Sequence, residues 1–307
     1  MPLATTILMI RPAAFGFNEE TAVNNYFQSI PQQSNHQTIQ QAALKEFDDM
    51  VKVLRDHHID VLVINDTNEP AKPDAIFPNN WLSTSPTGIV SVFPMYAPSR
   101  RPEKRDDILQ QLAKDFVVKD VQDWSEYEVE GRFLEGTGSM VIDHDNKMIY
   151  AAVSERTSLS VLEKYAGANG CQAIVFLATD KNGMPLYHTN VVMTLGENFC
   201  VLCEEAIEEE WELIAVRQLL ESTGHAIIAI TRDQMHCFAG NMLQLKNSNG
   251  EKYLVMSKTA FDSLRKDQKQ QLETFAKLLP IAVPTVEQVE GGSVRCMMAE
   301  VFLERKE

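Results

Sequence analysis

The sequence is short of basic residues. It has 28 lysines and arginines against 43 aspartates and glutamates, which gives a formal net charge of −15 and an isoelectric point near 4.9. A chain with this charge repels the phosphates of nucleic acids and the surface of anionic membranes. We therefore predict that it binds neither, and that its partner is a small molecule.

Long apolar runs and a disulfide framework are missing too. No apolar run reaches the ~20 residues that a membrane span requires, and residues 3–12, which have the pattern of a β-strand, lack the basic start of a signal peptide. The five cysteines are an odd number without framework spacing. These absences favour a cytoplasmic protein.

Signals for a metal or another cofactor are also weak. Cys200 and Cys203 form a Cys-x-x-Cys pair, but the pair lies within an apolar run and lacks a second pair of ligands. The sequence contains no glycine-rich phosphate loop. We therefore predict no metal and no cofactor.

The 307 residues, 44% of them hydrophobic, are enough to bury a large core. That length allows one large α/β domain or two ordinary ones. No stretch has the composition of a linker. We therefore predict a single domain over residues 1–307.

A repeat runs along the chain. Five segments, which we call corners, each consist of polar or glycine residues followed by apolar ones: Phe77–Leu82, Leu134–Met140, Tyr187–Val192, Phe238–Leu243 and Gly291–Met298. They recur every ~50 to 60 residues, a period typical of propellers and other arrays. Five units closed into a ring would bring all five corners to one axis.

Helical and β-branched stretches alternate between the corners. The helical candidates are residues 38–58, 104–115, 158–168, 204–222 and 259–279. Short β-branched runs follow some of them: residues 61–64, 173–176 and 226–230. This order predicts a unit of helix, strand, corner and strand.

Two residues in different corners have the chemistry of a nucleophile and its base. Cys296 follows the glycine pair at residues 291–292, as expected of a nucleophile on a tight turn, and His188 precedes an apolar run. Such residues meet only through the fold. The ring predicts that they share a pocket.

Several motifs give the chain a family resemblance. Asp74–Phe77, Leu134–Gly136 and Ser154–Thr157, together with His188 and Cys296, resemble the motifs of the guanidine-modifying superfamily, which includes arginine deiminases, dimethylarginine hydrolases and amidinotransferases. The resemblance implies the pentein fold, a five-bladed α/β propeller of ββαβ repeats around a central active-site cavity. The amino-acid sequences of the first and last corners are most similar to those of the citrulline utilisation branch.

The resemblance also implies a mechanism. The Cys296 thiolate would attack the central carbon of a guanidino or ureido group to give a covalent intermediate. His188 would act as general acid and then as general base. Glu135 would bind substrate N–H groups or orient His188.

Further residues would bind the substrate, which the resemblance implies is a small amino acid. Asp74 would accept hydrogen bonds from the reacting group. Arg156, with Arg100 or Arg101, would hold the α-carboxylate, because a planar guanidinium suits bidentate binding.

Asn79 and Asn80 depart from the pattern of enzymes that act on arginine, in which carboxylates are expected here. An asparagine both donates and accepts hydrogen bonds, which suits a neutral ureido group. We therefore expect a citrulline-like substrate ahead of arginine or methylarginine. Amidino transfer and a non-enzymatic binding protein of the same fold are the alternatives, and a homodimer is left open.

Overall fold

The computed structural model describes residues 2–29 and 35–306. In these two ranges the strands are β1 (Thr6–Arg11), β2 (Asp60–Asn65), β3 (Leu82–Thr84), β4 (Ile89–Val92), β5 (Asp120–Asp123), β6 (Val141–Asp143), β7 (Met148–Ala152), β8 (Gln172–Phe176), β9 (Met193–Leu195), β10 (Phe199–Leu202), β11 (Ala226–Ala229), β12 (Leu243–Lys246), β13 (Lys252–Ser257), β14 (Lys277–Ile281) and β15 (Ala299–Val301). The α-helices are α1 (Glu19–Ala22), α2 (His36–Asp56), α3 (Asp106–Asp115), α4 (Gly136–Ser139), α5 (Leu159–Ala168), α6 (Thr189–Val192), α7 (Glu210–Ser222), α8 (Arg232–His236), α9 (Lys258–Ser263), α10 (Lys266–Glu273) and α11 (Pro284–Glu290). Short 3-10 turns cover Pro78–Asn80, Pro98–Glu103, Ser125–Glu128 and Glu204–Ala206.

The strands of the described residues form five three-stranded sheets with one topology. In each sheet the first two strands pair antiparallel, and a helical crossover leads to a third strand that pairs in parallel with the second. In four of the sheets the antiparallel pair is a hairpin. This is the predicted ββαβ unit, and the predicted fold class is confirmed.

The fifth sheet joins the two ends of the chain. β15 pairs antiparallel with β1, with Ala299 opposite Leu8, and β1 pairs in parallel with β2. The first strand of this sheet therefore comes from the C-terminal region and the other two from the N-terminal region. This pairing closes the ring.

The first strand of every sheet lines a central cavity. One residue from each of these strands shows the arrangement: Ser83, Ile142, Thr194, Leu243 and Glu300 all lie in its wall. The same strands follow directly on the five predicted corners. All five corners therefore lie at the same end of the ring, as the repeat predicted.

The longer helices cover the sheets from outside. In α2 the side chains of Phe47, Met50 and Leu54 are fully buried in a core with β1 residues Ile7 and Met9. This is the apolar face expected of an amphipathic helix. Asn35 caps the first turn of α2 by accepting a hydrogen bond from the backbone N–H of Thr38.

Two predicted helices are corrected. Residues 259–279 form α9, α10 and the start of β14, because the backbone is extended at Leu264 and Arg265. The side chain of Gln268 accepts a hydrogen bond from the backbone N–H of Arg265 at 2.9 Å and so stabilises the start of α10. Residues 204–222 begin with a 3-10 turn, and the α-helix starts only at Glu210. In the described ranges no helix is both long and apolar enough to cross a membrane.

Candidate active site

A small pocket lies at the corner end of the ring, and we call it the corner pocket. Its wall is formed by Asn25, Asp74, Phe77, Asn80, Arg100, Arg156, Tyr187, His188, Glu290, Gly292 and Cys296. The first, third and fifth corners contribute to this wall directly. The second and fourth corners support it from behind, through Glu135 and Asn241.

Cys296 is almost fully buried and lies between two side-chain amides. The Nδ2 atoms of Asn241 and Asn190 are 3.3 and 3.6 Å from its Sγ atom. Both amides donate toward the sulfur atom and fix the position of the side chain at the pocket wall. The fold thus holds Cys296 where it can contact a ligand.

The turn before Cys296 requires its glycines. Gly291 has a φ of +61°, and a Cβ atom there would lie 2.8 Å from Asn25 Oδ1. A Cβ atom on Gly292 would lie 2.7 Å from the ring of Phe77. Only residues without side chains let this turn pack against both the N-terminal segment and the first corner.

His188 and Glu135 form a buried pair. His188 Nε2 lies 2.8 Å from Glu135 Oε2, and the backbone N–H of Tyr96 donates to Oε1 at 2.9 Å. Burial lowers the pKa of His188 to about 4, although Glu135 acts to raise it. The imidazole is therefore neutral near pH 7, with its proton on Nε2 and with Nδ1 able to accept one.

Glu135 remains ionised despite its burial. Burial acts to raise the pKa of Glu135, but the charge of Arg156 and the hydrogen bond with His188 lower it to about 2. Its side chain is fully buried and does not line the corner pocket. Of the two roles left open for Glu135, this position favours the orientation of His188.

Two carboxyl groups meet in the pocket wall, and we call Asp74 and Glu290 the carboxyl pair. Both line the corner pocket, and the Oε1 atom of Glu290 receives no hydrogen bond from any donor in the described residues. Burial and the neighbouring Asp74 raise the pKa of Glu290 well above its usual range. The position of Glu290 therefore favours its neutral, protonated carboxyl form.

Arg100 is held by protein partners. Its Nε and Nη2 atoms donate to the two oxygens of Glu103, each at 2.9 Å, and Nη1 donates to Asn80 Oδ1 at 2.8 Å. The N–H groups of its guanidinium are therefore not free to bind a substrate carboxylate. Asn80 Nδ2, by contrast, is a buried donor without a partner in the described residues.

Arg156 ties the N-terminal segment to the pocket. Its Nε atom donates to Asn24 Oδ1 at 2.9 Å and Nη2 donates to the carbonyl of Thr21 at 2.8 Å. Nη1 lies 3.7 Å from Glu135, and the guanidinium stacks on the Tyr187 ring at 4.9 Å. Most of its donors are thus used within the protein.

Comparison with known families shows the family to which this chain belongs. The family model described as N,N dimethylarginine dimethylhydrolase, eukaryotic, matches residues 11–303. The chain belongs to this family. The predicted guanidine-modifying superfamily is confirmed, and so is the general class of a hydrolase of non-peptide C–N bonds. The citrulline branch stays a prediction.

Solved structures share the fold of this member of the dimethylarginine dimethylhydrolase family. The substrate-bound N-terminal domain of ArgZ, a cyanobacterial arginine dihydrolase, has a TM-score of 0.75 and 15% identity, with 97% of this chain and 98% of that one covered. AgrE with L-arginine gives 0.73 and 15%, with 98% and 41% covered. A dimethylarginine dimethylaminohydrolase adduct with S-methyl-L-thiocitrulline gives 0.66 and 14%, with 97% and 100% covered. No curated protein sequence matches the chain.

The structure brings most of the predicted site residues of this family member together, but not all. Asp74, Asn80, Arg100, Arg156, His188 and Cys296 line the corner pocket, with Glu135 directly behind His188. The prediction is corrected for two residues. Asn79 points away from the pocket because its amide bonds Thr137, and Arg101 lies outside it beside Glu128, at 3.6 Å.

Some residues around the pocket were not predicted. Glu290 directly precedes the fifth corner, and Asn190 and Asn241 lie within the third and fourth corners, but none of the three was among the predicted site residues. The segment at residues 18–28 covers one side of the pocket, and its amides bond Asp74, Arg156 and Glu290. This segment is rich in asparagine and glutamine and has no regular apolar pattern, which is the sequence signal that could have indicated its place at the pocket.

Proposed function

We propose that the chain is a cysteine-dependent hydrolase that cleaves a guanidino C–N bond of an arginine-type amino acid, with Cys296 as nucleophile and His188 as general acid and base. The main support is the charge around the corner pocket. Four buried carboxyl groups (Asp74, Glu103, Glu135 and Glu290) surround two buried guanidinium groups (Arg100 and Arg156) in the described residues. A cationic substrate group compensates this excess of acid.

The proposed first half-reaction starts from a neutral pair. His188 Nδ1 takes the proton of the Cys296 thiol, and the thiolate forms a C–S bond with the guanidino carbon. The tetrahedral adduct collapses when the C–N bond breaks, and the departing amine or ammonia takes the proton from the imidazolium. Glu135 stabilises the imidazolium while it exists.

The second half-reaction regenerates the enzyme. Water loses a proton to His188 and adds to the carbon of the covalent intermediate. The C–S bond then breaks, the hydroxyl group loses its proton to solvent as the carbonyl forms, the thiolate takes back the proton held by His188, and a ureido product is released. No cofactor takes part in either half.

An acid-quench experiment tests this proposal. The protein is incubated separately with arginine, methylated arginines and citrulline, quenched in acid, and the Cys296 peptide is weighed by mass spectrometry. We expect an adduct with a guanidino substrate, release of ammonia or an alkylamine, and no reaction in Cys296→Ser. Absence of adduct and of turnover with every compound would instead support the non-enzymatic binding protein.

One observation favours a second candidate, the hydrolysis of a ureido group as in citrulline. The unpaired Nδ2 atom of Asn80 offers a donor that suits a ureido carbonyl oxygen. This reaction would release ammonia and carbon dioxide and leave the parent amine. Carbon dioxide release from citrulline supports this candidate. Amidino transfer would instead require an added acceptor amine before any product appears.

A further inference from the structure

The carboxyl pair holds two acidic groups where one positive charge would fit. Asn18 Nδ2 donates to Asp74 Oδ2, and Gln28 Nε2 donates to Glu290 Oε2 at 3.1 Å. The side chains of Asp74 and Glu290 are 2% and 1% exposed, so water does little to separate their charges. Two ionised carboxylates in the wall of one small buried pocket repel each other strongly under these conditions.

The groups that face the carboxyl pair do not neutralise it fully. Arg100 lies 3.9 Å from Asp74 but is already paired with Glu103. The N-terminal segment contributes the neutral amides of Asn25 and Gln28. The remaining titratable groups of the pocket wall are Arg156, which lies beside Glu135, and Tyr187, His188 and Cys296.

We infer that Glu290 carries a proton before a ligand binds, that a guanidinium bound next to Asp74 displaces this proton, and that Glu290 therefore discriminates cationic guanidino from neutral ureido ligands. This inference rests on the proposed function, because it assigns the specificity of the same pocket. It adds a residue, Glu290, and a proton that the reaction itself does not involve.

The two ligand classes interact with the pair differently. A guanidinium donates N–H groups to both carboxyl groups and supplies the charge that lets both ionise, so one proton leaves the protein. A ureido group is neutral, and the proton stays on Glu290 to donate to its carbonyl oxygen. Arginine-type ligands should therefore bind more tightly as the pH rises, and citrulline should not.

Calorimetric titration of the Cys296→Ala variant at neutral pH tests the inference. Loss of the thiol prevents turnover and removes the cysteine as a source of protons, while His188 is already neutral. Binding enthalpies measured in buffers of different ionisation enthalpy give the number of protons released. We expect about one proton per site with arginine, and about none with citrulline.

Glu290→Gln in the same background is the second arm. Glutamine keeps the shape of the side chain but cannot ionise, so arginine should bind on the order of tenfold or more weakly, without proton release. Citrulline binding should change little. Glu287→Gln is the matched control: it changes another buried glutamate of α11, which bonds Ser293 and Thr259 instead of the pocket.

The outcomes separate the two levels of proposal. Arginine binding without proton release, or Glu290→Gln with unchanged arginine affinity, would overturn the inference and leave the proposed hydrolase intact. No binding of any guanidino or ureido ligand would overturn both. Proton release that disappears in Glu290→Gln and persists in Glu287→Gln supports the inference.

Discussion

Replacement of Asn241 by aspartate is a direct test of how the fold prepares Cys296. Asn241 belongs to the fourth corner, and its amide connects the corners on either side: Nδ2 bonds the Asn190 carbonyl at 3.0 Å, and Oδ1 accepts from the Arg295 N–H at 3.2 Å. Nδ2 also lies 3.3 Å from Cys296 Sγ. Aspartate keeps the shape of asparagine but replaces a donor to sulfur with a negative charge.

The size of the effect follows from the geometry. Two unit charges at the 3.3 Å that separates these atoms repel by about 5 kcal/mol for an effective dielectric constant of about 20. Even a third of this value lowers the fraction of thiolate about tenfold at a fixed pH. We therefore expect Asn241→Asp to shift alkylation of Cys296 to higher pH by more than one unit, and kcat/KM to fall with it.

The assay is the pH dependence of iodoacetamide alkylation, followed by mass on the Cys296 peptide. Asn241→Ala removes the donor without adding a charge and should lie between wild type and Asn241→Asp. Asn169→Asp adds the same charge at the C-terminal end of α5 and should alkylate like wild type. If Asn241→Asp and Asn241→Ala follow the same curve, the charge beside sulfur does not control the thiolate.

Three further predictions concern the surroundings of the pocket. In Gly138→Ala the new Cβ atom would lie 2.5 Å from Asn80 Nδ2 and 2.7 Å from His188 Cε1, so turnover should drop by more than tenfold. The control Gly167→Ala places its Cβ atom in open space and should raise the free energy of unfolding, measured by urea denaturation, by about 0.5 kcal/mol. Burial lowers the pKa of His144 from 6.5 to about 4, so between these pH values the unfolded chain binds a proton and the folded chain does not. The free energy of unfolding of wild type should therefore fall, relative to that of His144→Gln, by up to about 1.4 kcal/mol per unit as the pH falls through this range. An equal pH dependence of the two urea denaturation midpoints would contradict this. A lysine at position 156 lacks the planar fork that bonds Asn24 and Thr21, so Arg156→Lys should raise KM about tenfold. Arg101→Lys, outside the pocket, should leave steady-state kinetics within about twofold. Equal effects of the two changes on KM would mean that Arg156 is an ordinary structural arginine.

The repeat made most of the fold predictable. Each corner changes abruptly from polar or glycine residues to apolar ones, and this change coincides with the start of an inner strand in all five sheets of the described residues. The error at residues 259–279 has a local cause. A polar stretch compatible with one long helix is divided at Leu264 and Arg265, where the extended backbone is set by the start of α10.

The site was predictable where a residue belongs to a corner, and less so elsewhere. The inward position of Arg100 could have been predicted, because Glu103 stands three residues after it and pairs with it within one 3-10 turn. The contact of Gln28 with Glu290 could not have been found, because these residues are 262 positions apart and residue 28 lies outside the repeat. Periodicity locates the corners but gives no information about segments that pack across them.

This division between corners and other segments also suggests how the pocket separates chemistry from specificity. The proposed nucleophile, its base and the amides that support them come from the third, fourth and fifth corners, with Glu135 from the second, so their positions are fixed by the ring itself. The carboxyl pair is held instead by Asn18 and Gln28, from a segment that the repeat does not constrain. If specificity depends on the pair, Gln28→Ala should alter KM and the ratio of arginine to citrulline turnover, while the alkylation rate of Cys296 stays unchanged. An equal loss of substrate selectivity and of the alkylation rate would mean that the N-terminal segment supports the whole site and not the carboxyl pair alone.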